Sequence, residues 1–192
     1  MARPTAADHD DKAAAVLAAA GRVFADRGYE GATMADVARE AGFSQAGVYH
    51  YYASKEHLLH GLLQISLEQV LGDLCRADPG PGAPARMSAL FETYLRSFTT
   101  HLRVITPLLL RLDLLRPEWR EEVKALERRI VDRLADAIGA DDSTLSPRTL
   151  AFLVLGAANW TYYWYDPEGD LSVEDLARGA AAIFTGVLTK TP

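Results

Sequence analysis

The stretch TMADVAREAGFSQAGVYHYYASK, which runs from Thr33 to Lys55, contains the signals for two short helices in close succession. Thr33 and Asp36 have the spacing of a helix N-cap and its acidic partner. Gly42 marks the end of the first helix, and Ser44 can begin the next one directly afterwards. Two short helices joined by such a tight turn form a helix-turn-helix.

Each of the two short helices has an apolar face. Met34, Val37 and Ala38 share one face of the first helix, and Val48 and Tyr52 share one face of the second. Both faces need a further helix to cover them, and the apolar spacing upstream of the stretch predicts that helix.

Polar and small residues occupy the outward face of the second helix, namely Gln45, Ala46, Gly47, Tyr49 and His50. The small residues allow the start of this helix to approach another surface closely, and the amide of Gln45 can pair with adenine in a major groove. Phosphate contacts are open to Thr33, Ser44, Tyr49 and Lys55. The same geometry also occurs in proteins that do not bind nucleic acid, so the order of residues is the more telling signal.

The order of residues from Thr33 to Leu59 resembles the DNA-binding domain of the TetR family of bacterial transcriptional repressors, T-x-x-x-I-A-x-x-A-G-V-S-x-G-x-L-Y-x-H/Y-F-x-S-K-x-x-L. The matching positions are Thr33, Val37, Ala38, Ala41, Gly42, Phe43, Ser44, Gly47, Val48, Tyr49, Tyr51, Tyr52, Ser54, Lys55 and Leu58. The resemblance implies a protein that binds double-stranded DNA. The DNA contacts it implies are Thr33, Ser44, Gln45, Ala46, Gly47, Tyr49, His50, Tyr51 and Lys55.

The charge of the chain argues against generic binding to nucleic acid. Its 192 residues carry a formal net charge of −6, and acidic residues still outnumber basic ones in the part up to His60. Because phosphate contacts supply most non-specific affinity, we expect weak binding to random DNA and a strong dependence on a few placed groups.

Length and composition indicate a globular, cytoplasmic protein. A content of 49% hydrophobic residues in a chain of 192 is enough for a substantial core. No apolar run reaches the roughly 18 residues that span a bilayer, and no charged-then-apolar leader opens the chain. The single cysteine, Cys75, excludes an intramolecular disulfide framework.

Helical spacing continues through the whole chain and predicts an all-α fold of about nine helices. We place a three-helix DNA-binding domain at residues 1–53 and a larger helical domain for ligand binding and dimerisation at residues 54–192. Residues 54–76 form a long helix that starts beside the DNA-facing surface and links the two domains. The proline- and glycine-rich stretch 78–84 is the clearest break in the chain.

The sequence favours a protein without catalytic function. His57 and His60 lie three residues apart on the linking helix, and two interpretations are open: a metal pair, or the far commoner pair of histidines at the edge of a core. Residues 42–46 resemble a nucleophile elbow but lack its second glycine and the preceding strand. We therefore expect no enzymatic activity, no cofactor and no metal.

The last two helices carry wide apolar arcs with small residues, which suit close packing of helices. The candidate dimer contacts are Leu153, Gly156, Ala157, Leu176, Ala180, Ile183, Phe184 and Val187. An ordinary intramolecular core would also explain them. In TetR-like proteins the corresponding helices form a four-helix bundle with a second copy, so the resemblance implies a homodimer. Two reading helices about 34 Å apart then match a palindrome.

Apolar and aromatic residues of the larger domain are expected to project from several helices into a common interior. The candidates are Tyr94, Phe98, Leu102, Leu109, Leu112, Trp119, Phe152, Asn159, Trp160, Tyr163 and Trp164. One explanation is an ordinary core, and the other is an apolar ligand cavity with a few polar groups. Asn159 favours the cavity, because an interior amide needs partners.

The segments 156–165 and 171–177 are similar to a TetR subgroup that regulates lipid and steroid catabolism in response to acyl-CoA thioesters. An effector of this class would stack its adenine on a tryptophan, and arginines would hold its phosphates; the candidates are Arg116, Arg120 and Arg148.

These features predict a repressor that an apolar or aromatic small molecule releases from a palindromic operator. The alternative is a ligand-binding or scaffold protein of the same fold that does not bind DNA.

Overall fold

The computed structural model describes residues 6–77, 83–97, 105–139, 145–166 and 168–188. These residues contain nine α-helices, two short 3₁₀ turns and no strand, so the predicted all-α fold is confirmed. No helix in these ranges is both long and apolar enough to cross a membrane.

The helices have the following bounds: α1 Ala6–Gly31, α2 Met34–Ala41, α3 Gln45–Tyr51, α4 Lys55–Arg76, α5 Ala83–Ser97, α6 Thr106–Leu109, α7 Pro117–Ile138, α8 Pro147–Trp160 and α9 Val173–Leu188. The 3₁₀ turns are Leu112–Leu114 and Thr161–Tyr163.

The described residues form two compact units. Unit one contains the residues up to 66 together with 105–123, and unit two contains 67–97 together with the residues from 124 onward. Helices α4 and α7 each begin in unit one and end in unit two. The domain boundary after residue 53 stays a prediction. The sequence did not indicate that 105–123 would belong with the helix-turn-helix.

The core of unit one contains the apolar faces that the sequence predicts. Helix α1 packs against both α2 and α3. The buried side chains include Val16, Ala20 and Phe24 of α1, Met34, Val37 and Ala38 of α2, Val48 of α3, and Leu58, Leu59 and Leu63 of α4. Helix α3 is short, so its position depends on this packing more than on its own helical stability.

Helix α1 is kinked shortly before its end. Gly28 has φ +68, a left-handed conformation that glycine adopts without steric cost.

In unit two, α5 packs against α8 and α9. The inward face of α8 consists of Leu150, Ala151, Val154 and Ala158. Ser146 caps this helix, because its hydroxyl oxygen accepts a hydrogen bond from the backbone N–H of Thr149 (3.1 Å). Apolar residues continue to Tyr165, but the α-helix ends at Trp160 and is followed by the 3₁₀ turn Thr161–Tyr163. There the hydroxyl of Thr161 donates to the carbonyl of Ala158 (2.6 Å).

Candidate nucleic-acid interface

A capping box begins α2. The hydroxyl oxygen of Thr33 accepts a hydrogen bond from the backbone N–H of Asp36 (3.1 Å), and the Asp36 carboxylate accepts one from the backbone N–H of Thr33 (3.1 Å). Arg27 of α1 (3.0 Å) and Arg39 pair with the other carboxylate oxygen. The hydroxyl of Thr33 also donates to the Asp36 carboxylate (2.6 Å), and this side-chain hydrogen bond is the main reason that the pKa of Asp36 is lowered. Both arginines lower that pKa further. The box therefore ties the start of α2 to α1.

The turn between α2 and α3 depends on a left-handed glycine. Gly42 has φ +71, and its N–H donates to the carbonyl of Arg39 (3.3 Å). The next N–H, that of Phe43, donates to the carbonyl of Ala38 (2.9 Å). Ser44 then caps α3, because its hydroxyl oxygen accepts from the N–H of Gly47 (3.0 Å). These short-range bonds set the direction in which α3 leaves α2.

The outward face of α3 is open to solvent. Gln45, Ala46, Tyr49 and His50 are exposed, whereas Val48 is completely buried and anchors the helix from below. Gly47 is half-buried against Ser44 and Phe43. The exposed set offers an amide, a hydroxyl and an imidazole along one face, which can form hydrogen bonds to base edges and phosphates.

The remaining predicted DNA contacts have partners within the protein. The exposed hydroxyls of Thr33 and Ser44 act as helix caps. Tyr51 is half-buried and its ring lies near that of Phe43, with centroids 6.3 Å apart.

Lys55 forms a link to the end of α1 that the sequence did not predict. Its ammonium donates to the carbonyls of Tyr29 (2.7 Å), Ala32 (3.1 Å) and Glu30 (3.3 Å), and it lies 4.4 Å from the centroid of the Tyr29 ring. A cation at carbonyls that lack helical partners is favourable. Its contact with phosphate stays a prediction.

His9 of α1 is a neighbour of α3 that sequence reasoning missed. Its ring centroid lies 4.8 Å from that of Tyr51 and 5.9 Å from that of His50. No local signal could have found it, because His9 is far from α3 in the sequence. The first turns of α1 therefore lie beside the end of the outward face.

Arginines between α1 and α2 are neutralised by neighbouring carboxylates. Arg22 pairs with Glu40 (2.6 Å), and Arg27 and Arg39 share Asp36. The surface between α1 and α2 therefore does not form a basic patch. This agrees with the excess of acidic over basic residues in the sequence up to His60. These three arginines therefore add little to non-specific attraction to phosphate.

In unit two, Tyr94 and Asn159 form a polar contact. Tyr94 is buried, and its hydroxyl donates to the side-chain carbonyl of Asn159 (2.7 Å). Burial raises the pKa of Tyr94 and also that of the nearby Glu127. Asn159 as a whole is exposed, so the expectation of an interior amide is wrong. It is instead a surface residue with one oxygen directed to a buried hydroxyl.

The aromatic residues at the end of α8 do not project into an interior. Phe152, Trp160, Tyr163 and Trp164 each have more than half of their surface exposed. The expected common interior is therefore wrong for these four residues, since they lie on the side of α8 and its 3₁₀ turn opposite the buried face. The rings of Trp160 and Tyr163 contact each other, with centroids 4.8 Å apart. Their role in ligand binding stays a prediction.

Other predicted ligand residues are distributed between the units. Leu109, Leu112 and Trp119 are half-buried and belong to unit one, whereas Tyr94 and Asn159 belong to unit two. Phe98 and Leu102 lie outside the described residues.

Two of the three candidate arginines for an acyl-CoA phosphate are also in unit one. Arg116 pairs with Glu56 (3.3 Å), and Arg120 donates to the carbonyls of Leu112 (3.0 Å) and Leu115 (2.9 Å). Arg148 pairs with Asp132 in unit two, and its guanidinium carbon lies 5.8 Å from the ring centroid of Phe152.

The predicted dimer residues lie on accessible faces of α8 and α9. Leu153, Gly156, Ala157 and Ile183 are exposed, and Leu176 and Ala180 are half-buried. The side chains of Phe184 and Val187 lie outside what the structure describes. Within the described ranges, His, Cys, Asp and Glu side chains form no group of three that could hold a metal ion.

Two family models match the chain. The model for bacterial regulatory proteins of the tetR family matches residues 16–62, and the model for the tetracyclin repressor-like C-terminal domain matches residues 80–188. The first includes the capping box, the glycine turn and α3, and the second includes α5 to α9.

Individual relatives agree with these matches. The chain is 32% identical over 150 residues to YfiR of Bacillus subtilis, an uncharacterized HTH-type transcriptional regulator, with 73% of this chain and 71% of YfiR covered. It is 24% identical over 187 residues to the HTH-type transcriptional repressor KstR2 of Mycolicibacterium smegmatis, with 92% and 90% covered. A crystal structure of AibR in complex with isovaleryl coenzyme A and operator DNA has a TM-score of 0.75 at 27% identity, with 90% and 97% covered. The chain belongs to the TetR family of bacterial DNA-binding transcriptional regulators.

Proposed function

We propose that the protein is a dimeric repressor that binds a palindromic operator through α3 and leaves it when a small molecule binds the larger domain. The observation that carries this proposal is the outward face of α3. Gln45, Ala46, Tyr49 and His50 are exposed on a helix whose start and anchor are fixed by Ser44 and Val48. An exposed face on a firmly held short helix is what major-groove recognition requires.

Exposed apolar residues on α8 and α9 support the dimer. Phe152 is 55% exposed, Leu153 51% and Ile183 69%. Large apolar patches on a single chain commonly mark an interface. A second copy related by a twofold axis would cover the same residues on both chains and would place two copies of α3 on one duplex. Such a repressor acts where the operator lies, in the bacterial cytoplasm.

An acyl-CoA thioester is the effector class that we propose. AibR, which is crystallised with isovaleryl coenzyme A, is 27% identical to this chain. The exposed rings of Trp160, Tyr163 and Trp164 offer surfaces on which an adenine can stack, and Arg148 lies in the same unit. Tyr94 and Asn159 provide a polar contact for the acyl end. A ligand can shift the protein off DNA only through different affinities for the two states, typically by about 1–3 kcal/mol.

Selection from a random duplex library tests DNA binding. We expect enrichment of an inverted repeat with half-sites about one helical turn apart, or a multiple of it. Gln45→Ala and Tyr49→Ala should each weaken binding to the selected duplex. Arg129→Met, which changes an exposed residue of α7, should not. Recovery of no enriched sequence would refute the repressor and favour the non-DNA-binding alternative.

Fluorescence anisotropy with the selected duplex tests release. Isovaleryl-CoA and longer or aromatic CoA thioesters are added to the complex, with the free acids and CoA alone as controls. We expect release by a thioester and no release by the controls. Release by a free acid at the same concentration would contradict the proposed effector class but not the repressor.

YfiR and KstR2, two relatives that match this chain, are HTH-type transcriptional regulators. We therefore expect no catalytic activity, and an acyl-CoA incubated with the protein should be recovered unchanged.

A further inference from the structure

Residues 52–54 connect α3 to α4, and His57 holds this connection. The backbone N–H of Ala53 donates a hydrogen bond to Nδ1 of His57 (3.2 Å), and the rings of His57 and Tyr52 meet edge to face with centroids 5.2 Å apart. The backbone N–H of His57 in turn donates to the hydroxyl oxygen of Ser54 (3.0 Å). The orientation of α3 at the start of α4 therefore depends on where the His57 ring lies.

Trp119 of α7 sets the position of that ring. Its indole stacks on His57, with centroids 5.2 Å apart and planes 20° apart, and on His60, at 4.8 Å and 4°. The guanidinium carbon of Arg116 lies 3.7 Å from the Trp119 ring centroid. Stacked rings and a guanidinium over an indole both favour a defined geometry.

Two glutamates, Glu56 and Glu122, contact residues on either side of the tryptophan. Glu56 accepts hydrogen bonds from the backbone N–H of Arg116 (2.6 Å) and from its guanidinium (3.3 Å). The hydrogen bonds from Arg116 are the main cause of a lowered pKa at Glu56. Nε2 of His60, a buried side chain, lies 2.9 Å from the Glu122 carboxylate, and among the described residues it has no hydrogen-bond partner.

These contacts form a regular pattern on both helices. Arg116 directly precedes α7, and residues 119 and 122 follow at intervals of three in its first turns. Together they meet residues 56, 57 and 60 at the start of α4. All six residues belong to unit one. We call this set the α4–α7 clamp.

We propose that Trp119 is a positioning residue for DNA recognition, because the α4–α7 clamp holds His57 and thereby the orientation of α3. The inference rests on the proposed function, in which α3 reads DNA.

Hydrogen exchange on the full chain without DNA tests the structural part of this inference. In Trp119→Leu we expect faster exchange of the amides between residues 45 and 57 and unchanged exchange between residues 16 and 24 of α1. Trp119→Phe keeps an aromatic ring and should remain close to the wild type. Equal acceleration in α1 would indicate general destabilisation, and unchanged exchange in both segments would indicate that no positioning occurs. Either result would overturn the proposal.

Binding to the selected operator and to a random duplex tests the consequence for recognition. Trp119→Leu and Glu56→Gln should weaken operator binding about tenfold, a size typical of coupling between sites, and leave binding to the random duplex within about twofold. A poorly folded fraction would lower the affinities for the operator and for the random duplex equally. The ratio of these two affinities therefore separates a positioning role from a folding defect. The matched control is Glu118→Gln, which removes the same charge from an exposed neighbour of the clamp.

Failure of the inference and failure of the proposed function give different results. If the wild type prefers the operator and Trp119→Leu keeps the same ratio, the positioning role is wrong and the repressor stands. If the wild type shows no preference for any duplex, the repressor is wrong, and the exchange experiment still decides whether Trp119 positions α3.

Discussion

Replacing Lys55 by methionine separates a structural role of this side chain from the phosphate contact that the sequence predicts. The ammonium donates to three carbonyls near the end of α1, at 2.7, 3.1 and 3.3 Å, and lies 4.4 Å from the ring centroid of Tyr29. Methionine has a similar length but leaves these carbonyls without a donor. We therefore expect the variant to be less stable than the wild type.

The expected decrease in the free energy of unfolding is about 2 kcal/mol. Hydrogen bonds to a charged group contribute roughly 1.5–3 kcal/mol, and a cation–π contact near the surface adds roughly 0.5–1 kcal/mol. Lys55 is half-buried, so water can replace part of the lost hydrogen bonding. We therefore take the lower end of the summed contributions, which is about 2 kcal/mol. For a protein of this size, that loss corresponds to a decrease in Tm of roughly 4–8 °C.

Circular dichroism during heating measures the stability, with Arg129→Met as the control that removes one positive charge from an exposed site. The control should change the free energy of unfolding by less than about 0.5 kcal/mol. Operator binding is measured at several salt concentrations on the same proteins, well below Tm. The slope of the logarithm of the affinity against the logarithm of the salt concentration should not change in Lys55→Met. A Tm within about 1 °C of the wild type, together with a slope reduced by about one unit, would refute the structural role and show a phosphate ligand.

Three further predictions concern the turn, a histidine and the outer face of α9. Gly42→Ala should lower the free energy of unfolding by about 1 kcal/mol in urea titrations, because alanine is strained at φ +71; an unchanged midpoint would contradict this. The pKa of His57 is lowered, chiefly by burial and then by His60 and Arg116 against the opposing charge of Glu56. The unfolded chain therefore takes up the proton more readily, and stability should fall as the pH decreases below about 6.5. His57→Gln should reduce this loss of stability, and a pH profile identical to that of the wild type would contradict the prediction. Ile183→Glu should give monomers in sedimentation velocity with unchanged helical content, because a charge cannot be buried unpaired in an interface; a persistent dimer would exclude this face.

The helix-turn-helix could be predicted from the sequence because its signals act over short distances. The Thr33–Asp36 capping box and the Ser44 cap each join residues three apart, and Gly42 supplies the left-handed turn from its own backbone. The spacing of Val37 and Val48 places them inward for the same reason, since a helical period is a property of neighbouring residues.

The order of residues from Thr33 to Leu59 by itself determined the family, the helical class and the exposed face of α3. Only the tertiary structure decided the partners of residues that are far apart in the sequence. Lys55 meets the end of α1, Trp119 meets two histidines of α4, and His9 lies beside His50. Helix α8 shows most clearly what helical periodicity cannot predict. It is apolar on both sides, so its periodicity predicts a buried face but cannot tell which side packs within the chain, and Trp160 therefore lies on the surface where an interior had been expected.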